Sequence, residues 1–172
     1  MYLGLQSAQL FPVVIVKYPI LTRADFSTLS DGEWVNDQII NFYLQLICQR
    51  SADLKVLPKV FALSTFFYLN VSTKCSDSIK RWTRNIDIFA YDLLLVPIHL
   101  EIHWCLAIVD LAQKQIDSYN SLLGGNAKCL DYLKNYLVEE CEDKKKETFG
   151  FGGWNFCWRT VRISTTWILL NK

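Results

Sequence analysis

The sequence predicts an α+β fold: one domain spanning residues 1–172, built on a central, mostly antiparallel sheet flanked by helices. Three observations carry this. Leu93 to Ile98, His103 to Val109 and Gln115 to Tyr119 are consecutive apolar or alternating runs joined by short polar connections, so three adjacent antiparallel strands are the economical arrangement. Apolar residues recur at helical spacing in two places, from Asp37 to about Gln49 and from Asn126 to about Glu140. With 172 residues, 51% of them hydrophobic and 20% charged, the chain is long enough to bury a sizeable core.

In chain order, Gln9 to Leu21 is β-branched and punctuated by Pro12 and Pro19, which suits an edge strand or an arm. Thr22 can cap a short helix beginning Arg23-Ala24-Asp25, and Ser30-Asp31-Gly32 breaks it. Asn36 can cap the next helix, whose Ile39, Ile40, Tyr43, Leu46 and Ile47 should leave it largely buried. Trp34 precedes that helix where the chain is turning, and sequence grammar leaves two readings open: a staple on the first helical turn, or a partly exposed ring.

Val60 to Leu63 reads as a short buried strand, Thr65 to Leu69 as an aromatic stretch of either type, and Ser76 to Trp82 as a short helix with basic residues at its end. Asp87-Ile88-Phe89 reads as a short extended piece. After the three strands, Gly124-Gly125-Asn126 opens a helix with Leu130, Leu133, Leu137 and Val138 on one face. Glu139 to Glu147 reads as a charged, solvated connection, and Val161 to Ser164 in the final stretch resembles a strand.

Composition excludes several classes. A net charge of +1 with interspersed signs offers neither a basic stripe for nucleic acid nor a cationic face for a membrane. No run approaches the roughly 18 apolar residues of a spanning helix. The apolar run Leu10 to Val16 has no basic residue before it and Pro12 within it, so it does not read as a signal peptide, and cytosol or nucleus is expected. Six cysteines without C-x-x-C spacing, and only two histidines, argue against a metal and for reduced, mostly structural thiols, and no cofactor is expected.

His103 heads an apolar strand, and the next strand returns polar residues beside it. A hairpin turn centred between Ala112 and Gln113 sets His103 opposite Leu122 and Asn120 opposite Cys105. His103 and Asn120 then share a face as diagonal neighbours, roughly 7–8 Å apart at the backbone. Asp117 opposes Ile108 on the other face, so it is the wrong partner. An amide that holds one imidazole nitrogen fixes the tautomer and frees the other nitrogen to act on a nucleophile, an arrangement that suits cysteine better than serine.

Leu21-Thr22-Arg23-Ala24-Asp25-Phe26-Ser27-Thr28-Leu29 and Trp34-Val35-Asn36-Asp37-Gln38-Ile39-Ile40-Asn41-Phe42-Tyr43 closely resemble the opening of the sentrin/SUMO-specific protease catalytic domain. Arg81-Trp82-Thr83, Asp87-Ile88-Phe89, Val96-Pro97-Ile98-His99, His103-Trp104-Cys105-Leu106 and Tyr119-Asn120-Ser121 continue the resemblance in one register, from about Phe11 to Trp154. It implies a papain-like fold of the ubiquitin-like protease type, and removal of SUMO from lysine or trimming of its precursor after Gly-Gly. It also implies a nuclear location, and as partner SUMO or another ubiquitin-like protein and its conjugates. His103 would be the general base, Asn120 would stand at the triad acid, Trp34 and Trp104 would cover the slot for the two glycines, and Asp37 would contact SUMO.

Two departures stand out. The triad acid of the family is an Asp in a Tyr-Asp-Ser segment, where this chain has Asn120. Beyond Gly153-Trp154 the family continues to an oxyanion-hole Gln and to an Asp-Cys-Gly with the nucleophile, whereas residues 155–172 match neither and read as a divergent tail, as an alternative exon or a shifted frame would give. Cys105 reads as a packed core thiol, and Cys157 lacks the motif's neighbours. The expectation is a protease homologue inactive as this chain. The alternatives are a module that grips a SUMO tail without cutting it and an incomplete product with an open core.

Overall fold

The computed structural model describes residues 21–73, 82–100, 103–121 and 127–160. The expected N-terminal arm, most of the 76–82 helix and the 161–164 strand lie outside the described residues. Within them the chain runs α1 (Arg23–Ser27), α2 (Asp37–Asp53), β1 (Val60–Ala62), α3 (Phe67–Ser72), a 3-10 turn (Ile88–Ala90), β2 (Leu93–Leu100), β3 (His103–Asp110), β4 (Gln115–Asn120), α4 (Ala127–Lys145) and β5 (Asn155–Thr160).

The five strands lie in the order β1-β2-β3-β4-β5. β2, β3 and β4 pair antiparallel, as their alternation and short connections require, while β1 and β5 add in parallel at the two edges. The β3–β4 turn closes with the Gln113 amide donating to Asp110 Oδ1 at 2.7 Å and Lys114 at φ 55°. It fixes Leu106 opposite Tyr119 and Ile108 opposite Asp117, the register that a turn centred between Ala112 and Gln113 requires.

One sheet face carries the core. Leu94, Val96 and Ile98 of β2, Cys105, Ala107 and Val109 of β3, and Ile116 of β4 meet Phe67, Tyr68 and Val71 of α3 and Cys129, Leu133 and Leu137 of α4. α2 packs along β1. It extends to Asp53 and is only half-buried: Ile39, Leu44 and Ser51 face inward, whereas Tyr43 and Leu46 are exposed, so the inward stripe is rotated from the one its apolar residues suggested.

Two further expectations are corrected. Asp87-Ile88-Phe89 is not extended, because the Asp87 carboxylate accepts from the Phe89 amide and starts a 3-10 turn. The charged stretch 139–147 is not a solvated connection, since α4 continues to Lys145 with Glu140 and Cys141 buried. Lys144 Nζ donates to the carbonyls of Thr83 and Arg84 at 2.7 Å each, tying the end of α4 to the segment before the 3-10 turn.

Glu140 is 3% exposed, and burial pushes its carboxyl up against the opposing pulls of Thr83 and Lys144. A raised folded-state pKa means that the folded chain holds the proton more tightly than the unfolded chain. Stability therefore falls as pH rises from the ordinary carboxylate range through the raised value. Glu140→Gln is expected to raise Tm at pH 7, with the gain shrinking to nothing below about pH 4. Thermal melts across that range check it, and a lower Tm for the variant at pH 7 would contradict it.

Candidate active site

The β3–β4 register brings His103 and Asn120 together at the open end of the hairpin. His103 Nε2 lies 2.9 Å from Asn120 Oδ1. A carboxamide oxygen has no hydrogen to give, so Nε2 carries the proton and donates it, which leaves Nδ1 with its lone pair. Ser121 Oγ stands 3.3 Å from the same Nε2, a second contact that the sequence reading missed although Ser121 directly follows Asn120. The contact between the imidazole and the carboxamide is part-buried, which limits competition from water. In this tautomer Nδ1 is free to accept a proton from a group set beside it.

Asp117 is held elsewhere. It pairs with Ile108 on the opposite face, accepts from Gln115 Nε2 at 2.7 Å, and forms an ion pair with Arg159 Nε at 3.1 Å. Its carboxylate raises the Arg159 pKa through the hydrogen bond and the charge.

The thiols can be sorted by sheet parity. β5 pairs with β4 so that Asp117 faces Cys157 and Asn120 faces Thr160. Side chains alternate across a sheet, so Cys157 shares the Asp117 face and points away from His103. Cys105 does share the histidine's face, two residues along β3, but it is 8% exposed within the core, and burial pushes its thiol up. Cys129 is pushed up to about 12, mostly by burial and further by Cys105. A nucleophile must be a thiolate or hand its proton to a base, and these buried thiols favour neither. Of the two cysteines on the strands nearest the pair, Cys105 is buried and Cys157 lies on the opposite face from His103.

Trp34 and Trp104 sit in different surroundings. Trp34 is 70% exposed, so the staple reading gives way to the exposed one. Trp104 lies next to His103 but on the other face of β3, where its ring meets His99 at 4.3 Å between centroids. Its Nε1 donates to the Val35 carbonyl at 3.0 Å, which ties the residue after Trp34 to the residue after His103. Asp37 occupies the first position of α2, where the positive end of the helix dipole favours a carboxylate. The structure thus joins His103 to Asn120 directly, and links the Trp34 loop to Trp104 through backbone.

Residues 33–165 match the family model described as the Ulp1 protease family, C-terminal catalytic domain. The match runs past Trp154 and includes β5. The chain is 51% identical over 134 residues to a sentrin-specific protease of Caenorhabditis elegans, covering 78% of this chain and 19% of that protein. It is 39% identical over 139 residues to sentrin-specific protease 3 of Homo sapiens, covering 81% and 23%. The chain thus spans about a fifth of the length of these curated relatives. Among solved structures, the C-terminal Ulp1 protease domain in complex with SMT3, the yeast orthologue of SUMO, superposes with a TM-score of 0.63 at 31% identity, covering 80% of this chain and 60% of that one.

Proposed function

The chain belongs to the Ulp1 protease family, and from that premise we propose that it is a SUMO-specific cysteine protease homologue whose His103–Asn120 pair waits on a nucleophile that none of its described cysteines supplies. The reaction at stake is hydrolysis of the bond after a Gly-Gly terminus, either in a SUMO–lysine isopeptide or in a SUMO precursor. The base takes the proton of a thiol, the thiolate attacks the carbonyl, the base returns that proton to the leaving amine, and water then hydrolyses the thioester to free the carboxylate and the thiol. The observation that carries the reading is the 2.9 Å bond from His103 Nε2 to Asn120, which fixes the tautomer such a base needs. On this reading the described residues supply the base without the thiolate, and no turnover is expected from them alone. A nuclear or cytoplasmic location belongs to the same proposal; no helix among the described residues is long and apolar enough to cross a membrane.

One observation favours a second role, gripping the tail without cutting it. Trp34 is exposed and its loop is tied to Trp104, so the elements that would flank two glycines stand assembled without the nucleophile. Asp37, at the first position of α2 and three residues after Trp34, is the carboxylate that the family resemblance sets against SUMO. Titration of labelled SUMO against the chain is expected to show binding that weakens when the terminal Gly-Gly is removed. Equal affinity for both forms would refute slot binding.

A further inference from the structure

An exposed indole is not held by packing. Trp34 therefore stands where its backbone puts it, and the backbone of residues 28–36 is fixed by a small polar network between the caps of two helices. Asn36 is the hub. Its Oδ1 accepts from the Ile39 amide at 3.0 Å, capping α2, while its Nδ2 donates to Asp25 Oδ1 at 2.8 Å. Its own amide donates to Thr28 Oγ1 at 3.4 Å. The other Asp25 oxygen accepts from the Thr22 amide and hydroxyl at 2.7 Å each, closing the cap of α1. Thr28 Oγ1 in turn donates to the Asp25 carbonyl at 2.7 Å.

The loop is thus pinned at Thr28 on one side and at Asn36 on the other, with the Val35 carbonyl held by Trp104 between Trp34 and the hub. The groups facing the Asp25 carboxylate, Thr22 from the start of its own helix and Asn36 from the head of α2, are neutral donors. They hold its pKa below the usual carboxylate range, Thr22 contributing most and Asn36 after it. Neither Asp25 nor Asn36 has a contact with His103, so a capping role alone would make them matter to stability and nothing else.

We infer that Asn36 and Asp25 are positioning residues: the Asn36 Nδ2 to Asp25 Oδ1 bond, spanning two helix caps, sets the Trp34 loop against Trp104 and so governs how the glycine tail is held. The inference rests on the tail-binding reading of Trp34 and goes beyond it by assigning the placement of that ring to residues that never touch the tail. Ordering one such side chain costs about 0.5–1.5 kcal/mol on binding. Loss of the bond should therefore weaken tail-dependent affinity by up to about tenfold.

Asn36→Asp separates positioning from capping. Aspartate caps a helix as well as asparagine does, so α2 keeps its start, but the donor to Asp25 becomes a second carboxylate. The double variant Asp25→Asn with Asn36→Asp restores one donor and one acceptor with the roles exchanged. Two readouts are taken on the full chain: the affinity ratio for labelled SUMO with and without Gly-Gly, and the fluorine spectrum of protein carrying 5-fluorotryptophan, with Trp34 and Trp104 assigned from Phe variants. The expected result is a shifted or broadened Trp34 line and a reduced tail ratio in Asn36→Asp, both returning in the double variant together with any Tm lost to the two facing carboxylates. Unchanged Trp34 and Trp104 lines in Asn36→Asp would overturn the inference, as would a tail ratio equal to that of the wild type. A wild-type chain indifferent to the tail overturns the tail-binding reading instead, and the fluorine lines then decide the positioning role by themselves.

Discussion

Phe67→Ala is expected to remove about 3–5 kcal/mol of stability, a large share of what a domain of this size has. Phe67 is fully buried, at 0% exposure. Its ring meets Tyr136 edge-on at 4.7 Å and Trp82 at 6.2 Å, so it joins α3, α4 and the segment before the 3-10 turn. Truncation removes the transfer free energy of the ring and leaves a cavity bounded by a sheet that cannot collapse into it. Urea unfolding followed by fluorescence checks the figure, and a loss below about 1 kcal/mol would show that the core is not organised around this ring.

Trp34→Ala should do the reverse, leaving the fold intact and weakening binding. The ring is exposed, so its loss should move Tm by no more than about 1 °C. Tryptophans that anchor an interface commonly contribute 2 kcal/mol or more, which corresponds to a loss of about 30-fold in affinity for SUMO with its tail. Affinity for SUMO without Gly-Gly should change much less. If both forms lost affinity equally, Trp34 would contact the body of the modifier and not its tail. The two substitutions together separate what holds the chain from what the chain holds.

How much of this was legible in the sequence follows from which interactions are local. The three central strands announce themselves by alternation and short connections. The His103–Asn120 pairing follows from one turn, because a hairpin register propagates two residues at a time from its loop. The caps Thr22 and Asn36 are readable because capping acts over three residues.

The failures are non-local. β5 pairs in parallel with β4 only after the whole of α4 intervenes, and nothing within Asn155–Thr160 signals a partner so far back. The charged end of α4 reads as solvated because its outward residues are, yet Glu140 turns inward beside Thr83 and Tyr136. The exposure of Trp34 depends on where its loop is pinned, which local spacing could not decide and the family resemblance favoured. Ser121 had the one available signal, its place directly after Asn120, but its contact with His103 belongs to the geometry of the hairpin end.

The parity of β5 bears most directly on chemistry. A cysteine near the end of the matched region invites assignment as a nucleophile, but Cys157 is set on the face of Asp117 and Arg159, away from the imidazole. Cys105 is on the correct face but packed in the core. The site therefore holds an imidazole bonded to Asn120, with Cys105 buried in the core and Cys157 on the opposite face.

The most direct measurement of that claim is intact-mass analysis of the chain after incubation with SUMO carrying a C-terminal electrophile in place of its last carboxylate. An unmodified mass is expected under conditions in which an active member of the family is fully labelled. A stoichiometric adduct mapped by peptide sequencing to Cys105 or Cys157 would contradict it.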